Sequence, residues 1–227
     1  MGIIRVDSAS KIYRQGQVRF TALDEVSLDI EKGEFIALAG PSGSGKTTLL
    51  NLIGGLDLAD RGEVYFDSRS LLEMSAAERA DLRLHRIGFV FQAYNLIPVL
   101  TAAENIDYIL MLQNVDKAER KKRVAEILAE VGLTDKASNR PDELSGGQQQ
   151  RVAVARAIVS HPEVLLADEP TANLDSRTGR KLLELMKEMN RKTRVTFVFA
   201  THDSMVMDFA DRLVSLKDGK IADDQRK

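Results

Sequence analysis

Three short stretches of this 227-residue chain carry residue types suited to chemistry on phosphate. The first, "GPSGSGKTT", runs from Gly40 to Thr48. Gly40, Gly45, Lys46 and Thr47 satisfy the pattern G-x-x-x-x-G-K-[ST], with Pro41, Ser42, Gly43 and Ser44 between the glycines and Thr48 behind. Glycines so placed let backbone N–H groups curl around the β- and γ-phosphates of a nucleotide at a helix N-terminus. Lys46 supplies a point charge, Thr47 offers a hydroxyl to Mg²⁺, and the helix start adds about half a positive elementary charge. The second stretch, "VLLADEP", ends an apolar run in two adjacent carboxylates, Asp168 and Glu169. Burying two uncompensated negative charges is costly, so a cation is expected beside them. Asp168 is expected to hold Mg²⁺ through its hydration shell. Glu169, turned a different way at the strand's end, is expected to polarise the water that attacks the γ-phosphate. The third stretch is "LSGGQQQ", Leu144 to Gln150. Ser145 and the amides of Gly146 and Gly147, at the start of an expected helix, make an anion site of the same kind as the first loop.

These groups need elements to hold them. "DEVSLDIEKGEF" alternates apolar residues at Val26, Leu28 and Ile30 and turns at Lys32-Gly33, which predicts a strand leading into a second strand, "FIALA". That strand ends at Gly40, and Leu49, Leu50, Leu52 and Ile53 then fall at helical spacing up to Gly54-Gly55. The glycine loop thus sits between a strand and a helix, the context a phosphate grip requires. From about Leu71 to Pro141 the pattern turns helical. Ser75 with Glu78 forms a capping box, and Asp116 opens a helix with Val124, Leu128 and Val131 on one face and Gly132 at its end. This predicts an inserted helical subdomain at about residues 92–141, between core segments 1–91 and 142–227. "EVLLADEP" and "RVTFVFATH" read as buried parallel strands separated by the helical "SRTGRKLLELMKEMN", and "RLVSLKDGKIA" as a hairpin turning on Asp218-Gly219. The expected class is α/β.

The chain has 32 Lys plus Arg against 34 Asp plus Glu, a formal charge of -2, which lacks the basic excess of a general nucleic-acid binder. It has no cysteine, excluding disulfides and thiol chemistry and fitting the cytosol. "MGIIRVDSAS" is too short and polar for a signal peptide, and Val6 stands where a myristoylation motif wants Ser or Thr. Apolar runs such as "YILML" fall far below the roughly 18 residues of a membrane span. A role at a membrane therefore calls for another chain to cross it.

With these residues in view the chain resembles the ATP-binding cassette family of ATPases, since "LSGGQQQR" separates that family from other P-loop proteins. The resemblance covers nearly the whole chain and implies a P-loop NTPase of the RecA-like kind, with an N-terminal antiparallel β region and an inserted α-helical subdomain. It also implies ATP and Mg²⁺ as cofactors. Tyr13 sits where the family stacks an aromatic on adenine, Gln92 in "FVFQ" matches the Q-loop and reaches Mg²⁺ or the attacking water, "TANLD" ending at Asp175 matches the D-loop, and His202 in "ATHD" matches the switch histidine. Taken singly, Tyr13 reads more often as a half-buried strand aromatic, Gln92 as a surface or core amide and His202 as an ordinary strand-end histidine; their order is what carries the match. His85 and His161 match nothing and are left as structural. In the family two cassettes face each other head to tail, so Ser145, Gly146, Gly147 and Gln148 are expected to grip the ATP held by a partner copy, giving a homodimer on ATP binding.

The stretch "FQAYNLIPVLTAAENI" is similar to the branch that drives lipoprotein release, macrolide efflux and a cell-division complex. That similarity implies a separate integral membrane permease as partner, a place at the inner, cytoplasmic face of the cell membrane, and no nucleic acid. Tyr94, Leu96, Ile97, Val99 and Leu100 are unusually apolar for a loop, and two readings stand side by side: a surface that docks the membrane subunit, or packing between the helical insertion and the core. The alternative function is a soluble cassette acting on DNA or in cell division. A short, single insertion without sustained heptads weighs against it.

Overall fold

The computed structural model describes residues 2–16 and 18–227. Strands β1 (Ile4–Gln15) and β2 (Val18–Ile30) pair antiparallel with Tyr13 opposite Phe20. The chain turns at Gly33 into β3 (Phe35–Ala39), which leads through the glycine loop into helix α1 (Lys46–Ile53). Strand β4 (Arg61–Phe66) returns to the free edge of β1 and carries β5 (Arg69–Ser70), completing a four-stranded antiparallel sheet in the order β2-β1-β4-β5.

Helix α2 (Ala76–Arg86) starts at Ser75, and the reciprocal Ser75–Glu78 capping box is formed. The next segment departs from the helical reading of Leu71 to Pro141: "IGFV" is strand β6 (Ile87–Val90), paired in parallel with β7 (Val164–Asp168). Four residues are too few to display a period, and only the neighbouring strand makes them extended. Helices α3 (Ala102–Leu112) and α4 (Lys117–Glu130) then form, the first capped reciprocally by Thr101 and Glu104, the second by Asp116. The 13-residue α5 (Gly146–Ile158) begins at Ser145 and α6 (Ser176–Thr193) at Asp175. Strand β8 (Thr196–Thr201), the short α7 (Ser204–Phe209) and the hairpin of β9 (Arg212–Lys217) with β10 (Lys220–Arg226) complete the chain.

The second sheet has the order β10-β9-β3-β8-β7-β6, and its five strands from β9 to β6 run parallel. Strand alternation splits its side chains between two cores. Ile36, Leu38, Val164, Leu166, Val198 and Ala200 pack with α1 and the antiparallel sheet, whereas Phe35, Ala37, Leu165, Ala167, Phe197 and Phe199 pack with α3, α5 and α6. Near-continuous apolar runs follow from burial on both faces. The two sheets are joined by Arg212, buried at 8% exposure. It donates to Asp224 at 2.8 and 2.7 Å, to Glu34 at 3.0 Å and to the Asp29 carbonyl at 2.7 Å.

Candidate active site

The carboxyl ends of four adjacent parallel strands, β3, β8, β7 and β6, open into one cleft of about 520 Å³. Crevices outside strand carboxyl ends are where open α/β sheets bind ligands. Beyond β3 the glycine loop needs its glycines: Gly45 has φ 101°, and a Cβ there would stand 2.5 Å from the Ala22 carbonyl. Lys46, 7% exposed, folds back so that Nζ donates to Gly40 O at 2.8 Å and Pro41 O at 2.9 Å, leaving its third N–H for the cleft. Ser44 Oγ is buried without a partner among the described residues, a donor to spare inside the loop.

Thr47, in the first turn of α1, donates from Oγ1 to Asp168, 3.1 Å from each carboxylate oxygen. Burial raises the Asp168 pKa above the usual carboxylate range; the Thr47 hydroxyl and the Lys46 charge oppose that shift and the Glu169 charge adds to it. A half-buried carboxylate facing a threonine hydroxyl fits a hard cation with oxygen ligands such as Mg²⁺. Glu169 is turned away from this pair because its backbone is left-handed, φ 47°, with its N–H donating to Ala200 O at 2.9 Å. Strain of this kind collects at functional sites. The Glu169 carboxylate lies 2.7 Å from His202 Nδ1 and accepts from Thr201 Oγ1 at 3.2 Å. In that pairing Nδ1 is the donor and the carboxylate oxygen the acceptor. Gln92, just past β6, lines the same cleft, and its carbonyl accepts from Asn173 Nδ2 at 2.9 Å.

Tyr13 forms the other end of the cleft. Its hydroxyl donates to Asp57 at 2.9 Å, and Lys11 Nζ lies 5.4 Å from the ring centroid. Burial, then the hydrogen bond to Asp57, raises the Tyr13 pKa. Sequence reasoning missed Phe20, 51% exposed, whose ring centroid is 5.6 Å from that of Tyr13. The signal was in the hairpin register, which sets Phe20 opposite Tyr13. It also missed Thr201, the hydroxyl immediately before the histidine.

Pro41, Ser42, Gly43 and Thr48 line the cleft with Gly45, Lys46, Thr47, Gln92, Asp168, Glu169 and His202, while Gly40, Ser44, Ser145, Gly146, Gly147, Gln148 and Asp175 do not. Ser145 and Gln148 cap α5 reciprocally, at 2.8 and 3.3 Å, leaving the amides of Gly146 and Gly147 at the helix start. The Asp175 carboxylate caps α6, accepting from the amides of Arg177 and Thr178 at 3.1 Å each. Of the apolar loop residues only Val99 is strongly exposed, at 71%, while Leu96 packs against the core. Packing therefore accounts for Leu96. The buried Asn105 ties this segment down through the carbonyls of Ile97, Leu100 and Thr101. A separate apolar cleft of about 280 Å³, with Leu56, Leu84, Phe89, Phe91 and Ile109 in its walls, opens between the sheet and α3.

A family profile described as ABC transporter matches residues 23–172. The chain is 43% identical over 228 residues to the uncharacterized ABC transporter ATP-binding protein MJ0796 of Methanocaldococcus jannaschii, covering 99% of this chain and 97% of that protein. It is 41% identical over 227 residues to the macrolide export ATP-binding/permease protein MacB of Mannheimia succiniciproducens, covering 100% of this chain but 35% of that protein. Among solved structures, a dimeric post-hydrolysis state of the MJ0796 cassette bound to ADP and Pi superposes with a TM-score of 0.92 at 43% identity, over 98% of each chain.

Proposed function

This chain belongs to the ABC transporter family as an ATP-binding cassette ATPase, and from that premise we propose that it is the separate ATP-hydrolysing subunit of a membrane complex, closing as a homodimer on ATP. One observation carries the reading: Thr47 at the start of α1, Asp168 and Glu169 at the end of β7 and His202 just past β8 converge on one cleft, Thr47 paired with Asp168 and Glu169 with His202. The loop amides and Lys46 take the β- and γ-phosphates, and Tyr13 with Phe20 takes the base. Thr47, Asp168 and Gln92 would hold Mg²⁺, which would supply neutralisation of the phosphate charge. Glu169 accepts a hydrogen bond from the attacking water, and His202 fixes the direction of that carboxylate. The water oxygen bonds to the γ-phosphorus as the bond to the bridging oxygen breaks, releasing ADP and phosphate.

The free amides of Gly146 and Gly147 and the cap at Ser145 serve the γ-phosphate of a second copy. Support comes from their position outside the chain's own cleft and from the dimeric state of the solved relative. Residues 92–141 act as a unit that carries α3 and α4, and the apolar cleft beside Leu56 and Ile109 receives the membrane subunit. Met111 and Leu112, later on α3 than Ile109, are also exposed. No helix among the described residues is long and apolar enough to cross a membrane, so the complex takes its place at the inner face of the membrane through the partner. The macrolide export relative favours transport over a cassette acting on DNA. The test is ATP hydrolysis with and without a chelator, together with light scattering of Glu169→Gln at saturating ATP. Chelator-sensitive turnover and an ATP-dependent dimer are expected, and a Glu169→Gln chain that stays monomeric would sink the dimer reading.

A further inference from the structure

The segment leaving Gln92 contains two consecutive residues in the left-handed region, Tyr94 at φ 60° and Asn95 at φ 49°. Neither is glycine, so Tyr94 carries the steric penalty of a Cβ in that conformation and Asn95 a smaller one. Arg156, near the end of α5, holds the pair: Nη1 donates to Asn95 O at 2.6 Å and Nη2 to Tyr94 O at 2.9 Å. Among the described residues no carboxylate forms an ion pair with this guanidinium, whose pKa burial lowers. A half-buried cation, which also lines the apolar cleft beside Phe89 and Phe91, is thus committed to two backbone carbonyls. The kink brings Tyr94 over the other end of the same helix, where a Cβ on Gly146 would lie 3.0 Å from the Tyr94 hydroxyl. Asn173 anchors the Gln92 carbonyl from the far side. Residues 94 and 95 therefore meet α5 near both ends, bonded to Arg156 and with the Tyr94 hydroxyl beside Gly146, about 15 Å apart along the helix.

We infer that Arg156 is a positioning residue: by stabilising the left-handed Tyr94–Asn95 kink it fixes the angle at which α5 presents Ser145, Gly146 and Gly147 to the partner's ATP. The inference rests on the proposed use of those residues in trans. The test measures the ATP-dependent dimer of Glu169→Gln by light scattering across protein concentration, with further substitutions added. Asn95 is exposed, so Asn95→Val keeps Arg156 and the core but puts a β-branched residue in the left-handed region; it should weaken the dimer about tenfold. Arg156→Met should weaken it at least as much, with ATP affinity of the monomer unchanged. Adding Asn95→Gly to Arg156→Met removes one of the two Cβ penalties and should restore part of the loss, which a purely structural role for Arg156 would not allow. If Arg156→Met melts early, Asn95→Val carries the test alone. An Asn95→Val chain that dimerises like its parent, or a double variant no better than Arg156→Met, overturns the inference. A Glu169→Gln parent that never dimerises overturns the trans reading and this inference with it.

Discussion

The exchange Glu169→Gln separates chemistry from binding more cleanly than any other in the cleft. Glutamine has the same shape, and its carbonyl oxygen can keep the 2.7 Å contact with His202 Nδ1. The Thr201 hydroxyl, both donor and acceptor, can rotate to take the amide N–H in place of the 3.2 Å bond it now donates. The fold therefore loses the difference between charged and neutral hydrogen bonds, about 1 kcal/mol, together with the 3.4 Å bond that Oε2 now accepts from the His202 amide. Glu169 is not aimed at the Thr47–Asp168 pair, so ATP affinity should stay within about threefold of the parent, less than 1 kcal/mol. The chemical step loses its proton acceptor, worth roughly 10² to 10⁴ in rate, or about 3 to 5.5 kcal/mol of barrier. Single-turnover hydrolysis at saturating MgATP, read beside equilibrium nucleotide binding, measures both quantities on one sample. His202→Ala, which leaves the carboxylate but removes its orientation, should fall between parent and Glu169→Gln. A Glu169→Gln rate within about threefold of the parent would refute the assignment, because no general base is worth so little.

Mixing Lys46→Ala with Gly146→Asp chains should produce an ATP-dependent heterodimer that neither forms alone, because head-to-tail pairing unites one intact phosphate loop with one intact helix start; a mixture that scatters light like its components would disprove the trans arrangement. Asp168→Asn should abolish Mg²⁺-dependent nucleotide binding yet raise the melting temperature of the nucleotide-free protein at neutral pH. The raised pKa of Asp168 means its contribution to stability is fully present below the carboxylate's unfolded value and lost as pH rises through the folded one. The gain should therefore shrink to nothing in acid, and a gain independent of pH would refute the cause given. Arg212→Met strips the partner from Asp224 and leaves Glu34 to Arg226 alone. Breaking a buried pair costs about 3 to 5 kcal/mol, and since Asp224 can rehydrate, the lower end corresponds to a melting point about 6 to 12 °C lower. A drop under about 2 °C would show that the network does not join the sheets.

The parts of this protein written in the sequence are those whose physics is local. The glycine loop was legible because Gly40, Gly43 and Gly45 all adopt φ above zero, a demand their own backbone makes. The Ser75–Glu78 box and the Asp116 cap were legible because a helix start is satisfied within three residues. Near-continuous apolar runs announced the buried strands, and the doublet Asp168-Glu169 announced a site, though what splits the two side chains is the left-handed backbone at Glu169. Strand β6 was hidden because four residues have no period of their own, and Leu96 because its burial belongs to the core it meets rather than to its loop. Tertiary structure alone brought Thr47 to Asp168 across 121 residues of chain. It did so by placing β8 between β3 and β7, an order that neither strand's residues specify. Parallel strands pair through backbone groups common to every residue, so their order is decided by which faces and crossover helices can be buried together.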